Sequence, residues 1–536
     1  MGPAGRGSRY LVLALLGLLV GLHIVLAWTS RNPGISWGED DAEYVILGRE
    51  LLHGSYADRW DVDAPSHARL PPGFPALLSI ASVAFGDDAR VYTLFVLLCS
   101  AASVALFFFV VRRHFGDVVA LFVTGLTAIN TWAVSDAGYV MAEVPFRFWV
   151  TLTLWAASRE NPRTRDLVLA GAAAVAAALT RSIGVAVVAG LALHWILERR
   201  WKAVALLVVG SIPVGLWFLW TWMAPDPNER SLYLHTLTIG VQETAESTQD
   251  AAWLVVVKRT FGSIVEYVRS LVPMALSFPG LRENIIDNLA WAALAVATVP
   301  AGLWAAWQRW RLLVLVLFFY GAALAVWPWR YERFVSPITS LLLVLIGAGT
   351  VYLLRRRSEG VQRLALAAVA FLFVVGSIQT GLPTLRTMMA CDRSRPLDSP
   401  ACFTDDRRGL LRLAAYARDN TPEDAVFYAP KEGAFYLHSG RRTVMESRFG
   451  GVPPDSLGAL LRRSGVSYAV FTPIGIDSDR GVSLARACRD FEKVAAFEGD
   501  AVLLRLREGG PIDHDDETCQ SIAEWKEGRP ARWSLR

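Results

Sequence analysis

The sequence predicts an all-α polytopic membrane domain of about eleven transmembrane helices followed by a soluble C-terminal α/β domain. Three observations carry this. Of the 536 residues, 53% are hydrophobic and 20 are Trp, and the mean hydropathy is +0.35. Membrane-length apolar runs recur through residues 1–380 and then stop. Four of the five cysteines, Cys391, Cys402, Cys488 and Cys519, fall in the polar region after them, whereas Cys99 lies in an apolar run. An even set of cysteines confined to one polar region suggests disulfides and an oxidising compartment. Proximity in sequence favours Cys391–Cys402 and Cys488–Cys519, although four cysteines allow three pairings.

The expected spans are 10–28, 89–111, 115–133, 143–158, 166–181, 183–197, 203–223, 285–307, 312–328, 335–354 and 361–380. Arg6 and Arg9 precede the first, but no small-residue cleavage site follows, so it reads as an uncleaved helix rather than a signal peptide. Net charge is only +4, yet its placement is informative. Arg112-Arg113, Arg159/Arg163/Arg165, Arg199-Arg200/Lys202, Arg309/Arg311 and Arg355-Arg356-Arg357/Arg363 alternate with connections poor in basic residues. With eleven spans every cluster falls on the side of Arg6 and Arg9, the cytoplasmic side. A multi-pass protein of the cytoplasmic (inner) membrane is expected, with its N-terminus inside. The domains expected are 1–380, with outer loops 29–88 and 224–284, and an extracytoplasmic 381–536.

In the C-terminal domain, Ala425–Tyr428, Thr443–Met445, Tyr468–Phe471 and Ala501–Leu506 read as strands. Leu410–Arg418, Asp455–Arg463 and Ser483–Phe491 read as the helices between them. No phosphate-cradling glycine motif or nucleophilic triad occurs there, and no nucleic-acid partner is expected.

Adjacent carboxylates, Asp40-Asp41, open the stretch from Trp37 to His53. Tyr44, Leu47 and Leu51, with Val45 and Leu52, share one side of a helix that would lie along the membrane surface. Carboxylates at such a boundary can accept a proton from an acceptor hydroxyl; as a structural alternative, Asp40 followed by Glu43 fits a capping box. Further ionisable residues sit at the expected outer helix ends: Asp136, Glu143, Arg181, Arg330, Glu332 and Arg333. Ionisable residues at membrane depth are costly and mark function. Glu143 could instead pair with Arg147 one turn on, Arg181 could snorkel to headgroups, and Arg330 and Arg333 could anchor an aromatic belt.

The run Asp40-Asp41-Ala-Glu-Tyr44…Arg49-Glu-Leu-Leu-His-Gly54, followed by Leu70-Pro-Pro-Gly-Phe-Pro75, resembles the first outer loop of GT-C glycosyltransferases. The similarity is greatest to the family 39-like set of protein O-mannosyltransferases and lipid A aminoarabinose transferases. Tyr139-Val-Met-Ala-Glu-Val-Pro-Phe146, Thr180-Arg-Ser-Ile-Gly184 and Arg333-Phe-Val-Ser-Pro337 resemble three later motifs of that set in order. Asp stands where the second acid of the pair is often Glu, and the 224–284 loop offers no match.

The resemblance implies inverting transfer of a sugar from a polyprenyl-phosphate donor, a membrane lipid, to an extracytoplasmic glycan, lipid or protein acceptor. Asp40 would be the general base, and Asp41 would orient the acceptor or bind a divalent cation. Arg181, Arg333 and Arg330 would hold the donor phosphate, with Glu143, Tyr44 and Asp136 positioning substrate. No ligand-spaced His/Asp cluster indicates a metal, and no cofactor is otherwise expected. A transporter or flippase of a lipid-linked or envelope precursor is the competing class, but no internal repeat relates the two halves.

Overall fold

The computed structural model describes residues 6–35, 39–159, 161–223, 251–280, 285–444, 454–474, 484, 487–512, 514 and 519. The chain forms two compact units, Met1–Asn32 with Ala68–Met389 and Pro33–His67 with Ala390–Arg536. Residues 33–67, expected as part of an outer loop of the membrane domain, therefore group with the C-terminal region.

The first unit is helical, and each expected span has a helical counterpart among the described residues. By length and composition, six helical stretches there could cross a membrane: Arg9–Thr29, Ala89–Ile129, Trp201–Met223, Ile286–Arg309, Glu332–Leu353 and Glu359–Ala390. Four counterparts, Glu143–Ala157, Thr164–Thr180, Val185–Leu197 and Arg311–Val326, have only 13 to 17 residues, short of the ~20 that a full span needs. Two expected spans lie within Ala89–Ile129, whose helical dihedrals break at Gly116 with φ 82° and ψ 179°. That left-handed value is available to glycine at no steric cost, and Arg112 pairs with Asp117 across the break.

Lipid tails are as apolar as leucine, so helices in this unit must associate through close packing rather than hydrophobic exclusion. The sequence supplies small residues where this happens. A Cβ on Gly302 would lie 2.0 Å from the Leu345 carbonyl oxygen, and one on Gly349 2.0 Å from that of Thr298. Helices Ile285–Arg309 and Thr339–Leu353 thus touch backbone to backbone. Beside this crossing lies an apolar cavity of about 350 Å³, lined by Val268, Val272, Trp291, Val299, Leu342 and Ile346 among others.

The second unit is built on a four-stranded sheet of order β1-β2-β4-β3, from β1 (Phe427–Tyr428), β2 (Tyr468–Phe471), β3 (Phe491–Phe497) and β4 (Ala501–Leu506). The β1–β2 pair is parallel; β2–β4 and β4–β3 are antiparallel. β4 is the near-continuous apolar run Ala-Val-Leu-Leu-Arg-Leu, and all of it but Arg505 is buried. Helices Asp405–Asn420, Glu432–Ser439 and Pro454–Arg463 accompany the sheet. Of the expected helix Ser483–Phe491, Leu484 is helical, but its end is corrected: Cys488–Asp490 is one 3₁₀ turn, and Phe491 begins β3. Residues 475–483 and 485–486 lie outside the described residues, as does Met445 of the expected strand Thr443–Met445. Thr443 makes isolated parallel bridges to Phe427 and Asp61. Both disulfides form as sequence proximity suggested, Cys391–Cys402 and Cys488–Cys519.

Segment 33–67 is stitched into this unit by backbone bonds. The Thr443 N–H donates to the Trp60 carbonyl at 2.7 Å and the Val62 N–H to that of Thr443 at 3.0 Å. His438 Nε2 lies 2.8 Å from the Ile35 carbonyl. Within the segment, Asp58 and His67 are buried and paired at 2.5 Å, with the Tyr56 and Trp60 rings edge-on to the imidazole.

Replacing Gly349 by Ala should force the two helices apart and destabilise the first unit by about 3 kcal/mol, the upper range for overpacking. The measurement is the thermal midpoint of the detergent-solubilised protein; an unchanged midpoint would remove the close crossing from the account.

Candidate active site

In the first unit the ionisable residues singled out from the sequence lie at helix ends and short turns, where chain direction changes and backbone groups are already partly solvated. Asp136 ends helix Thr131–Asp136. Glu143 begins Glu143–Ala157, where the helix macrodipole favours a negative charge. Arg181 is extended, φ −145° and ψ 134°, after helix Thr164–Thr180 and before the 3₁₀ turn Ser182–Gly184. That turn requires glycine for close approach: a Cβ at Gly184 would meet the Ala177 backbone at 2.5 Å. Arg333 lies in the 3₁₀ turn Glu332–Phe334, directly before the turn Ser336–Ile338. The Tyr320 hydroxyl donates to the Phe334 carbonyl at 2.7 Å and pins this loop to helix Arg311–Val326.

The site centres on Glu143, whose side chain is 2% exposed. It pairs with Arg181 and with Arg333 Nε at 3.2 Å. The two arginines come from turns far apart in sequence, and one carboxylate brings them together. Of the structural alternatives, the Glu143–Arg147 pair does not form. Arg147 turns instead to Asp136, with Nη2 at 3.3 Å from the carboxylate and 3.3 Å from Ser336 Oγ. Ser336 Oγ donates to Asp136 in turn. Two ionic clusters thus form: Asp136 and Arg147 cancel one another, whereas Glu143 between Arg181 and Arg333 is itself compensated and leaves one positive charge over. Arg330 is not in either: its Nη1 pairs with Glu266 at 2.7 Å.

Asp40, Asp41 and Tyr44 belong to the second unit, on helix Glu39–Leu52. The helix already includes Glu39, so Asp40 lies within its first turn rather than forming the N-cap of the structural alternative. The expected one-sided amphipathic helix is also corrected, because every residue from Asp41 to Gly48 is buried. Asp41 and Glu43 are each 1% exposed, and Tyr44 is buried, while Asp40 is half-buried. Helix Glu432–Ser439 packs on this helix closely enough that a Cβ on Gly433 would lie 2.9 Å from Glu43 Cγ. Among the described residues, no group of three or more His, Cys, Asp or Glu side chains is placed to hold a metal ion.

Sequence reasoning missed Arg147, Ser336 and Glu266. Ser336 stood inside the Arg333–Pro337 motif and carried a readable signal. Glu266 lies in the 224–284 loop, where no motif matched, and residues 224–250 of that loop are outside the described residues.

Burial pushes the Asp136 carboxyl from its ordinary 3.8 up to about 6, against the opposing pull of Arg147. The folded state therefore holds this proton more tightly than the unfolded chain. The resulting stabilisation is fully present below pH 3.8 and is lost as pH rises through about 6. Asp136→Asn should flatten the pH dependence of the thermal midpoint across that window, and a variant with the same slope as the parent would contradict it.

Residues 69–224 match the family described as dolichyl-phosphate-mannose-protein mannosyltransferase. No curated protein matches at the level of sequence. Among solved structures, the chain is similar to ArnT from Cupriavidus metallidurans bound to undecaprenyl phosphate, with TM-score 0.57 and 17% identity over 95% of this chain and 100% of that one. It is also similar to the oligosaccharyltransferase AglB from Archaeoglobus fulgidus in complex with an inhibitory peptide and a dolichol-phosphate, with TM-score 0.55 and 14% identity over 97% of this chain and 78% of that one. With the mannosyltransferase-family match over residues 69–224 and the fold shared with these two structures, the chain has a GT-C-like fold, and its long apolar helices mark it as a multi-pass membrane protein.

Proposed function

We propose that this chain moves a sugar from a polyprenyl-phosphate donor onto a hydroxyl-bearing glycan, lipid or protein on the outer side of the cytoplasmic membrane, inverting the anomeric carbon. The observation that carries the reading is the convergence of Arg181 and Arg333 on the buried Glu143 carboxylate. Two guanidiniums sharing one carboxylate leave a net positive charge at a set of helix ends, which suits a departing phosphate. Glu143 holds both cations in place before the phosphate arrives, so little reorganisation is required as charge develops. The undecaprenyl phosphate and dolichol-phosphate bound in the two similar structures support a lipid-phosphate donor. The apolar cavity beside Trp291 offers room for part of an isoprenoid chain.

In the proposed step Asp40 takes the proton of the acceptor hydroxyl while its oxygen forms a bond to the anomeric carbon. The bond from that carbon to the lipid-phosphate oxygen breaks, and its electron pair leaves with the phosphate toward Arg181 and Arg333. One displacement inverts the centre. Asp41 orients the acceptor or holds a divalent cation; transfer that survives chelation selects the first role, and transfer lost on chelation and restored by added cation selects the second. Tyr44 lines the acceptor side, and Asp136 with Arg147 braces the Ser336 turn behind Arg333.

Asp40→Asn keeps size and most hydrogen bonding but removes the base, so transfer from a labelled polyprenyl-phosphate sugar should drop roughly 10²–10⁴-fold. The helix should survive, since one first-turn acid contributes only about 0.3–1 kcal/mol through the dipole. Near-normal transfer would sink the assignment of the base and move it to Asp41. Arg333→Ala should act differently, raising KM for the donor and lowering kcat together, because a phosphate contact exists in the ground state and strengthens as the bond breaks. A change in neither parameter would remove Arg333 from the donor site.

A further inference from the structure

Helix Ala252–Glu266 and the π-turn Tyr267–Leu271 that continues it have their polarity inverted. Trp253, Val257, Phe261, Ile264 and Val268 are exposed, at i, i+4, i+8, i+11 and i+15, and make an apolar stripe on the outside. Among the polar residues, Lys258 and Arg269 are exposed too, but two turn inward. Ser263 is fully buried and Tyr267 is 6% exposed. Ser263 Oγ, Tyr267 Oη and Arg330 Nε are buried without a hydrogen-bond partner among the described residues. Buried donors left unmade cost about 1–3 kcal/mol each, so three in one place are expensive unless something fills them. π-turns are rare and recur at functional sites; this one begins at Tyr267, and the indole N–H of Trp291 donates to the Val268 carbonyl within it at 2.8 Å.

We infer that Ser263, Tyr267 and Arg330, with Glu266, form a subsite for the sugar ring of the lipid-linked donor, and that these residues set its sugar specificity. This rests on the transfer reading above, and it gives a different role to Arg330, which the family resemblance grouped with the phosphate ligands. The reason is charge. Arg330 is paired one to one with Glu266 at 2.7 Å, so this pair, unlike the two arginines on Glu143, has no net positive charge to offer a phosphate. A sugar hydroxyl both donates and accepts. It matches a set that offers two hydroxyls and a guanidinium edge as donors and a carboxylate as acceptor. The Tyr267 ring adds an apolar face for the carbohydrate C–H groups. Burial pushes the Tyr267 phenol up to about 12, so it stays a neutral donor in the physiological range. Arg330 packs over Gly262, where a Cβ would lie 3.7 Å from its Nη2, so the guanidinium is held against the helix that carries the two hydroxyls.

The test compares binding of bare polyprenyl phosphate with that of polyprenyl phosphates bearing mannose, glucose, galactose or arabinose, using the full-length detergent-solubilised protein. The parent should bind at least one sugar-bearing lipid about 10-fold or more tightly over bare lipid. Ser263→Ala with Tyr267→Phe should erase most of that preference while affinity for bare lipid stays within about twofold. The thermal midpoint without ligand should hold or rise, since the substitutions remove orphaned hydroxyls without leaving cavities. A parent with no preference for any sugar-bearing lipid would overturn the inference. So would a double variant that keeps the preference, one that loses affinity for bare and glycosylated lipid equally, or one whose midpoint falls. A parent that shows the preference but transfers nothing would sink the transfer reading and leave the subsite standing.

Discussion

Everything in the first unit's candidate site depends on the buried Glu143 carboxylate. An ionised group at 2% exposure persists only when its charge is answered, and here it is answered twice, by Arg181 and Arg333. The double pairing ties the turn after Thr180 to the turn before Pro337. It also releases Arg147, one helical turn along, to serve Asp136 and Ser336. A single pairing with Arg147 would have satisfied Glu143 within its own helix and left the other two arginines unrelated. The compensation pattern therefore decides which elements meet.

The second unit is organised by a different constraint. A sheet of four strands, with β1 only two residues long, has edges that need covering. The chain answers with Thr443 and then with residues 60–62 from the far end of the sequence. The segment carrying Asp40 and Asp41 thereby becomes part of a disulfide-bonded domain rather than a free loop. Helix Glu432–Ser439 packs against it at Gly433, and the buried Asp58–His67 pair closes the turn that follows. The packing at Gly433 and the backbone bonds at Thr443 together fix the segment that carries the acidic pair.

The membrane-spanning pattern was the most legible feature. Apolar runs near 20 residues have few other uses, and each produced a helix, including the break at Gly116 that separates two runs within Ala89–Ile129. The strands around Tyr468 and Ala501 were equally readable from short apolar stretches between turns. β3 was not: Phe491-Glu-Lys-Val-Ala-Ala-Phe497 alternates weakly and follows a stretch with helical character, and only its pairing with β4 makes it a strand. Glu43 and Asp41 lie on a stretch that reads as a helix along the membrane surface. They are buried because the helix packs against partners remote in sequence, which no local pattern records.

The sequence by itself determined the membrane class, the apolar helices, the confinement of four cysteines to the polar region and the short list of acids and arginines at helix ends. These follow from hydropathy, period and residue type, all local quantities. Tertiary structure alone decided the partners: Glu143 with Arg181 and Arg333, Arg147 with Asp136, Arg330 with Glu266, and residues 33–67 with the C-terminal sheet. Pairing among buried charges depends on which helix ends lie within about 4 Å of one another, where the attraction is strong enough to offset desolvation. That distance is a property of packing, and sequence separation carries no trace of it.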